Sequence, residues 1–130
     1  MSEAHTIGLG TIKAIRHDIA EVICHEGIEI TLEMVAEYHQ FLADHFASPC
    51  SVLVNKINAY TYTFEAQLEI GTAAHINSLA FVTYNRVAEI AVQTLSAYPR
   101  KKNWQDNFFN DKEDAIQWLI AQQENVNTKK

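Results

Sequence analysis

The chain has 130 residues, of which 48% are hydrophobic and 20% charged, with a formal net charge of −6. These values exclude disordered and fibrous classes, and the length is enough to bury a core without disulfides or a structural metal. The negative balance repels a phosphate backbone, so no nucleic-acid partner is expected. No run approaches the roughly 18 apolar residues that cross a bilayer, so no membrane insertion is expected either.

Met1 to Ala4 is a short polar start. Lys13, Arg16 and Asp18 interrupt every candidate signal-peptide run, which reads as a cytoplasmic protein. Ile7–Ile15 and Ile19–Cys24 are rich in β-branched residues and are separated by Arg16-His17-Asp18, which predicts a hairpin. Gly8-Leu9-Gly10 lies inside this strand pattern with no helix after it. It is therefore read as a bulge or close approach and not as a dinucleotide fingerprint. Thr31 is an N-cap for a helix running to about Phe46. At about 100° per residue, Leu32, Val35, His39, Leu42, Ala43 and Phe46 share its apolar face. His39 is expected to be a hydrogen-bonded core histidine. Ser48-Pro49 breaks the helix.

Ser51–Ile57 shows little alternation, as suits a strand covered on both faces. Asn58-Ala59-Tyr60 and Tyr62 form a polar and aromatic loop, and Thr63 starts a second helix running to about His75. Leu79–Tyr84 is another buried strand. Arg86–Tyr98 follows as a helix with Val87, Ile90, Ala91 and Leu95 on one stripe. A basic loop, Arg100-Lys101-Lys102, leads to a short strand within Trp104–Phe109. Asn110 or Asp111 caps the last helix, where Asn110 with Glu113 would make a capping box. Asn125–Lys130 reads as a loose tail. Cys24 and Cys50 each lie in a strand-like run without CxxC spacing and are read as reduced core residues. The order ββαβαβαβα implies an α/β domain over 1–130, with an ordered core of about 5–123. Its sheet is mostly parallel, with an antiparallel N-terminal strand and helices packed on it.

The order, together with its junctions, resembles the STAS-like proteins, the SpoIIAA-like fold of anti-sigma-factor antagonists, and among them the small stand-alone bacterial members. The junctions are Gly27-Ile28-Glu29-Ile30-Thr31, Tyr62-Thr63-Phe64-Glu65-Ala66, and Phe109-Asn110-Asp111 followed by Ala115 and Trp118-Leu119. The resemblance implies a non-enzymatic regulatory domain that acts through a protein partner, a homodimer being one form of such contact. In the regulatory members a serine at the start of the second helix is phosphorylated and switches partner binding. Here that stretch is Tyr62-Thr63-Phe64-Glu65, and Thr63 offers its only hydroxyl, which is read as a helix cap. Related folds include lipid carriers, so the alternative is a small-molecule or lipid binding domain.

In an open α/β sheet the crevice beyond the carboxyl end of a central strand is the usual binding place. This puts Asn58, Tyr60, Tyr62, Thr63 and Glu65 forward as partner-binding or switch residues. Arg100, Lys101 and Lys102 form the only concentration of positive charge and are a candidate anion site. Tyr84 and Tyr98 are further rim candidates. There is no GxSxG, P-loop, HExxH or zinc-spaced cysteine pair, so neither a catalytic residue nor a cofactor or metal is expected. The histidines, His5, His17, His25, His39, His45 and His75, are scattered, with no i,i+4 pair among them.

Overall fold

The structure, a computed structural model, describes residues 4–97 and 105–128. The first half contains β1 (His5–Ile7), β2 (Gly10–Arg16), β3 (Ile19–Cys24), β4 (Glu29–Ile30), α1 (Leu32–His45) and β5 (Cys50–Lys56). The second contains β6 (Thr61–Tyr62), α2 (Phe64–Glu69), β7 (Ile76–Thr83), α3 (Arg86–Ala97), β8 (Gln105–Phe109) and α4 (Lys112–Thr128). Six strands form one sheet in the order β1-β2-β3-β5-β7-β8, and β4 pairs with β6 apart from it. The β1–β2 and β2–β3 pairs are antiparallel, whereas β3–β5, β5–β7 and β7–β8 are parallel. This is the expected α/β class, mostly parallel with an antiparallel N-terminal end.

The N-terminal end differs in detail. Ile7–Ile15 is not one strand, because a turn at Gly8-Leu9 splits it and folds β1 back onto the outer edge of β2. Gly10 is the close approach anticipated from the sequence. A Cβ there would lie 2.1 Å from the Ile23 carbonyl oxygen, so only glycine lets β2 pair with β3 at that point.

Burial follows the alternation of the strands. One face of the sheet packs Leu9, Ile12, Val22, Val52, Leu79 and Phe81 against α1, α2 and α3. The other packs Ile19, Leu53, Ala80 and Val82 against α4 alone, through Ala115 and Leu119. Thr31 caps α1 as expected, its Oγ1 accepting from Met34 N at 3.3 Å. The buried residues of α1 are Val35, Tyr38 and Leu42, while Leu32 and Ala43 face solvent. The Tyr38 ring, not the aliphatic edge, sets the orientation of the helix.

α2 ends at Glu69, well short of His75. Gly71 has φ 80°, a left-handed conformation that stops a helix, and Thr72 Oγ1 donates to the Glu69 carbonyl at 2.6 Å. α3 is rotated by roughly a quarter turn from the expected stripe. It buries Ala88, Val92 and Leu95, leaving Val87 79% and Ile90 48% exposed. Ala88 is small enough to bring the helix close to the sheet on that side. Ser96 Oγ donates to Asp106 Oδ2, tying α3 to β8.

Asp111, not Asn110, caps α4, its Oδ2 accepting from Asp114 N at 3.1 Å. The expected loose tail at Asn125 is helical to Thr128. Gln123 explains why the helix runs on so far. Its Nε2 donates to Asp18 Oδ2 and to the Pro49 carbonyl, both at 3.0 Å. Its Oε1 accepts from Ser51 Oγ at 2.5 Å and from Asn77 Nδ2 at 3.1 Å. Arg16 pairs with Asp18 beside it, which holds the Asp18 carboxyl below its ordinary range. This buried network clamps the last helix across the amino ends of β5 and β7.

Candidate functional site

The alternation of β5 places Val52, Val54 and Lys56 on the face covered by α1–α3. Lys56 is the last residue of the strand, so its stem is buried while its ammonium reaches the carboxyl-end crevice; the residue is 7% exposed. The loop that follows is tied down. Asn58 Nδ2 donates to the Cys24 carbonyl at 2.9 Å, Ala59 N to Glu26 Oε1 at 3.0 Å, and Gly27 N to the Ala59 carbonyl at 2.7 Å. These bonds fix Tyr60 so that Lys56 Nζ lies 3.6 Å from the centroid of its ring. The Tyr60 and Tyr62 rings meet edge to face at 5.9 Å. On the far bank Asn85 Oδ1 accepts from Ala88 N at 2.8 Å and holds the first turn of α3.

Between these banks run two adjoining hollows of about 500 and 410 Å³ that share Lys56, Tyr60 and Ala91. The first is completed by Glu26, Ile57, Asn58, Asn85 and Val87, and the second by Tyr62, Gln67, Thr94 and Leu95. The groove is open, with an aromatic and cationic floor and apolar walls. Burial holds the Lys56 pKa below its ordinary value, an effect partly offset by Cys24 and Glu26. Burial pushes the Cys24 thiol up to about 11 and the Tyr60 phenol well above its ordinary range. Both shifts favour the protonated forms near neutral pH.

Asn58, Tyr60 and Tyr62 therefore line one groove, Asn58 in the first hollow, Tyr62 in the second and Tyr60 in both. Thr63 and Glu65 are not part of its lining. Thr63 Oγ1 accepts from Ala66 N at 3.2 Å, which is the cap geometry, and Glu65 projects from the first turn of α2 into solvent. Arg100, Lys101 and Lys102 lie outside the described residues, as do Tyr98 and Trp104. Tyr84 belongs to the opposite face, where its hydroxyl donates to Asn55 Oδ1 at 2.7 Å. Asn55 Nδ2 in turn donates to buried Glu21, whose other oxygen lies 3.0 Å from Lys112 Nζ. Sequence reading passed over Lys56, Asn85 and the outer side of α3. The signal for Lys56 was present, as a lone cation in the apolar run Val52-Leu53-Val54-Asn55-Lys56-Ile57.

His39 is half-buried and hydrogen-bonded, its Nε2 accepting from Gly71 N at 3.1 Å. Its ring lies 6.5 Å from that of His75, and the His5 and His45 rings are 6.1 Å apart. Among the described residues no three His, Cys, Asp or Glu side chains converge in a metal-binding group. No helix among them is long and apolar enough to cross a membrane. Inside the core, the void lined by Val22, Tyr38, Leu79 and Phe81 measures about 20 Å³. That is room for one water and not for an acyl chain.

No family model matches the chain, and no curated protein does. Among solved structures it is similar to a protein of Shewanella loihica PV-4, described as an uncharacterized member of the DUF3478 family with a SpoIIAA-like fold. The two are 15% identical, with 92% of each chain covered and a TM-score of 0.48.

Proposed function

We propose that the protein is a regulatory, non-enzymatic interaction domain whose working surface is the groove between the β5–β6 loop and α3. One observation carries this reading. Ile57 and Val87, 56% and 79% exposed, face the same hollow, and Ile90, 48% exposed, extends the apolar surface along the outer side of α3. Apolar residues gathered at the mouth of a groove mark a surface that a partner covers. Helix α3 turns Ala88, Val92 and Leu95 to the sheet and leaves the apolar Val87 and Ile90 outward, which suits an interface better than an isolated fold.

The partner is a protein, a second copy of this chain included. Size measurement and affinity capture with wild-type protein and with Val87→Asp test the reading. The expected result is a complex or dimer with the wild type that the variant loses. A wild-type protein that is always an unbound monomer would contradict it.

A further inference from the structure

Lys56 presents a feature that a protein interface alone does not explain. A buried cation is normally paired with a carboxylate. Lys56 is 7% exposed and its Nζ rests on the Tyr60 ring; that ammonium, which opens on the groove, makes no hydrogen bond or ion pair among the described residues. The cation–π contact stabilises the ammonium from below and leaves its upper side turned to the hollow of about 500 Å³. That size is ordinary for a small-molecule site, where apolar walls and a few polar groups fix the ligand.

The other lining groups narrow the ligand. Asn58 and Asn85 are both held by bonds to backbone, so each presents an oriented amide. Ile57, Val87 and Ala91 supply apolar wall, which calls for an apolar body on the ligand. Glu26 stands at the rim, its Oε1 held by Ala59 N, and adds a negative charge near the cation. One positive and one negative charge in the same hollow disfavour a dianion such as a phosphate monoester, as does the overall charge of −6. We propose that the groove is a binding site for a small organic monocarboxylate, whose carboxylate pairs with Lys56 while its apolar body lies against Val87 and Ala91. The inference rests on the groove being the working surface but not on the identity of a protein partner, and such a ligand would compete with that partner for the same walls.

The test is an NMR titration of purified full-length protein, labelled at lysine 13Cε and valine methyl groups, with benzoate, phenyl phosphate and benzyl alcohol as probes. Benzoate is expected to bind saturably in about the millimolar range, shifting the Lys56 and Val87 signals together. Lys56→Met should weaken benzoate at least about tenfold while the methyl signals of the buried Val52 and Val92 stay dispersed as in the folded wild type. Glu26→Gln, which keeps the oxygen that accepts from Ala59 N, should tighten benzoate. No saturable shift, equal binding of benzyl alcohol, tighter binding of phenyl phosphate, or undiminished affinity in Lys56→Met would each overturn the assignment. Failure here with partner capture intact removes the ligand and leaves the interaction surface. Loss of partner capture with benzoate binding intact does the reverse.

Discussion

The Lys56 ammonium lies 3.6 Å from the centroid of the Tyr60 ring, at the floor of a groove formed by residues from β5, the β5–β6 loop and α3. The ring offsets only part of the cost of taking a cation from water, which is why burial lowers the Lys56 pKa from 10.5. The unfolded chain then binds this proton more tightly than the folded one. The charge therefore costs stability below the folded pKa, and the cost is relieved as pH rises toward 10.5. Lys56→Met should leave stability unchanged or raise it at neutral pH. Urea unfolding should also show a shallower alkaline rise for the variant than for the wild type. A loss of more than about 1 kcal/mol would mean that the lysine is a structural residue.

His39 makes the opposite end of the pH range informative. Burial, helped by His75, holds its pKa near 4 instead of 6.5, and its Nε2 lone pair is engaged by Gly71 N. The unfolded chain takes up the proton first, so this stabilisation is complete above 6.5 and is lost as pH falls through 6.5 toward 4. The expected contribution is on the order of 3 kcal/mol. Urea midpoints measured from pH 7 to pH 4 should fall more steeply for the wild type than for His39→Gln, whose side-chain oxygen can accept the same bond but does not titrate. Parallel curves would assign the acid sensitivity to other groups.

Gln123 joins Asp18, Pro49, Ser51 and Asn77, and is itself 1% exposed. Gln123→Ala would leave several buried polar atoms without partners. Its expected cost is about 3 kcal/mol, measured as a lower denaturant midpoint at unchanged slope. A cost below about 1 kcal/mol would show that water replaces the side chain.

Thr63 separates a cap from a switch. Its Oγ1 is engaged by Ala66 N, as Thr31 Oγ1 is by Met34 N. Thr63→Ala should cost about 1 kcal/mol and Thr63→Ser much less. Partner capture should be unchanged in both. Loss of capture in Thr63→Ala at conserved stability would restore the hydroxyl to the working surface.

The parts of this fold set by neighbours in sequence could be read directly. Thr31 and Thr63 satisfy backbone N–H groups three residues on, so their capping follows from local chemistry. Gly10 stood out as a strand glycine because a missing side chain in a strand signals close approach. The hidden parts depend on distant partners. Val87, Ile90, Ala91 and Leu95 and the alternative set Ala88, Val92 and Leu95 are both apolar stripes at helical spacing. Only the sheet beneath decides between them, and it selects the second. Gln123 lies in a polar run that looks solvated, and its burial depends on Asp18, 105 residues earlier. At the groove, the loop residues Asn58, Tyr60 and Tyr62 were visible as a cluster, whereas Asn85 and Val87 join them only through the parallel pairing of β5 with β7.

The outward phase of α3 gives the most direct measurement of whether this groove is a working surface. Affinity capture and size measurement can be run side by side on wild type, Val87→Asp and Gln93→Asp, the last an exposed polar residue of α3 that lines neither hollow. All three should unfold within about 0.5 kcal/mol of one another, since Val87 is 79% exposed. The expected result is that wild type and Gln93→Asp retain the same partner or dimer, and that Val87→Asp loses it by at least about tenfold. Equal retention by all three proteins, or a wild type that stays an unbound monomer throughout, would contradict the account.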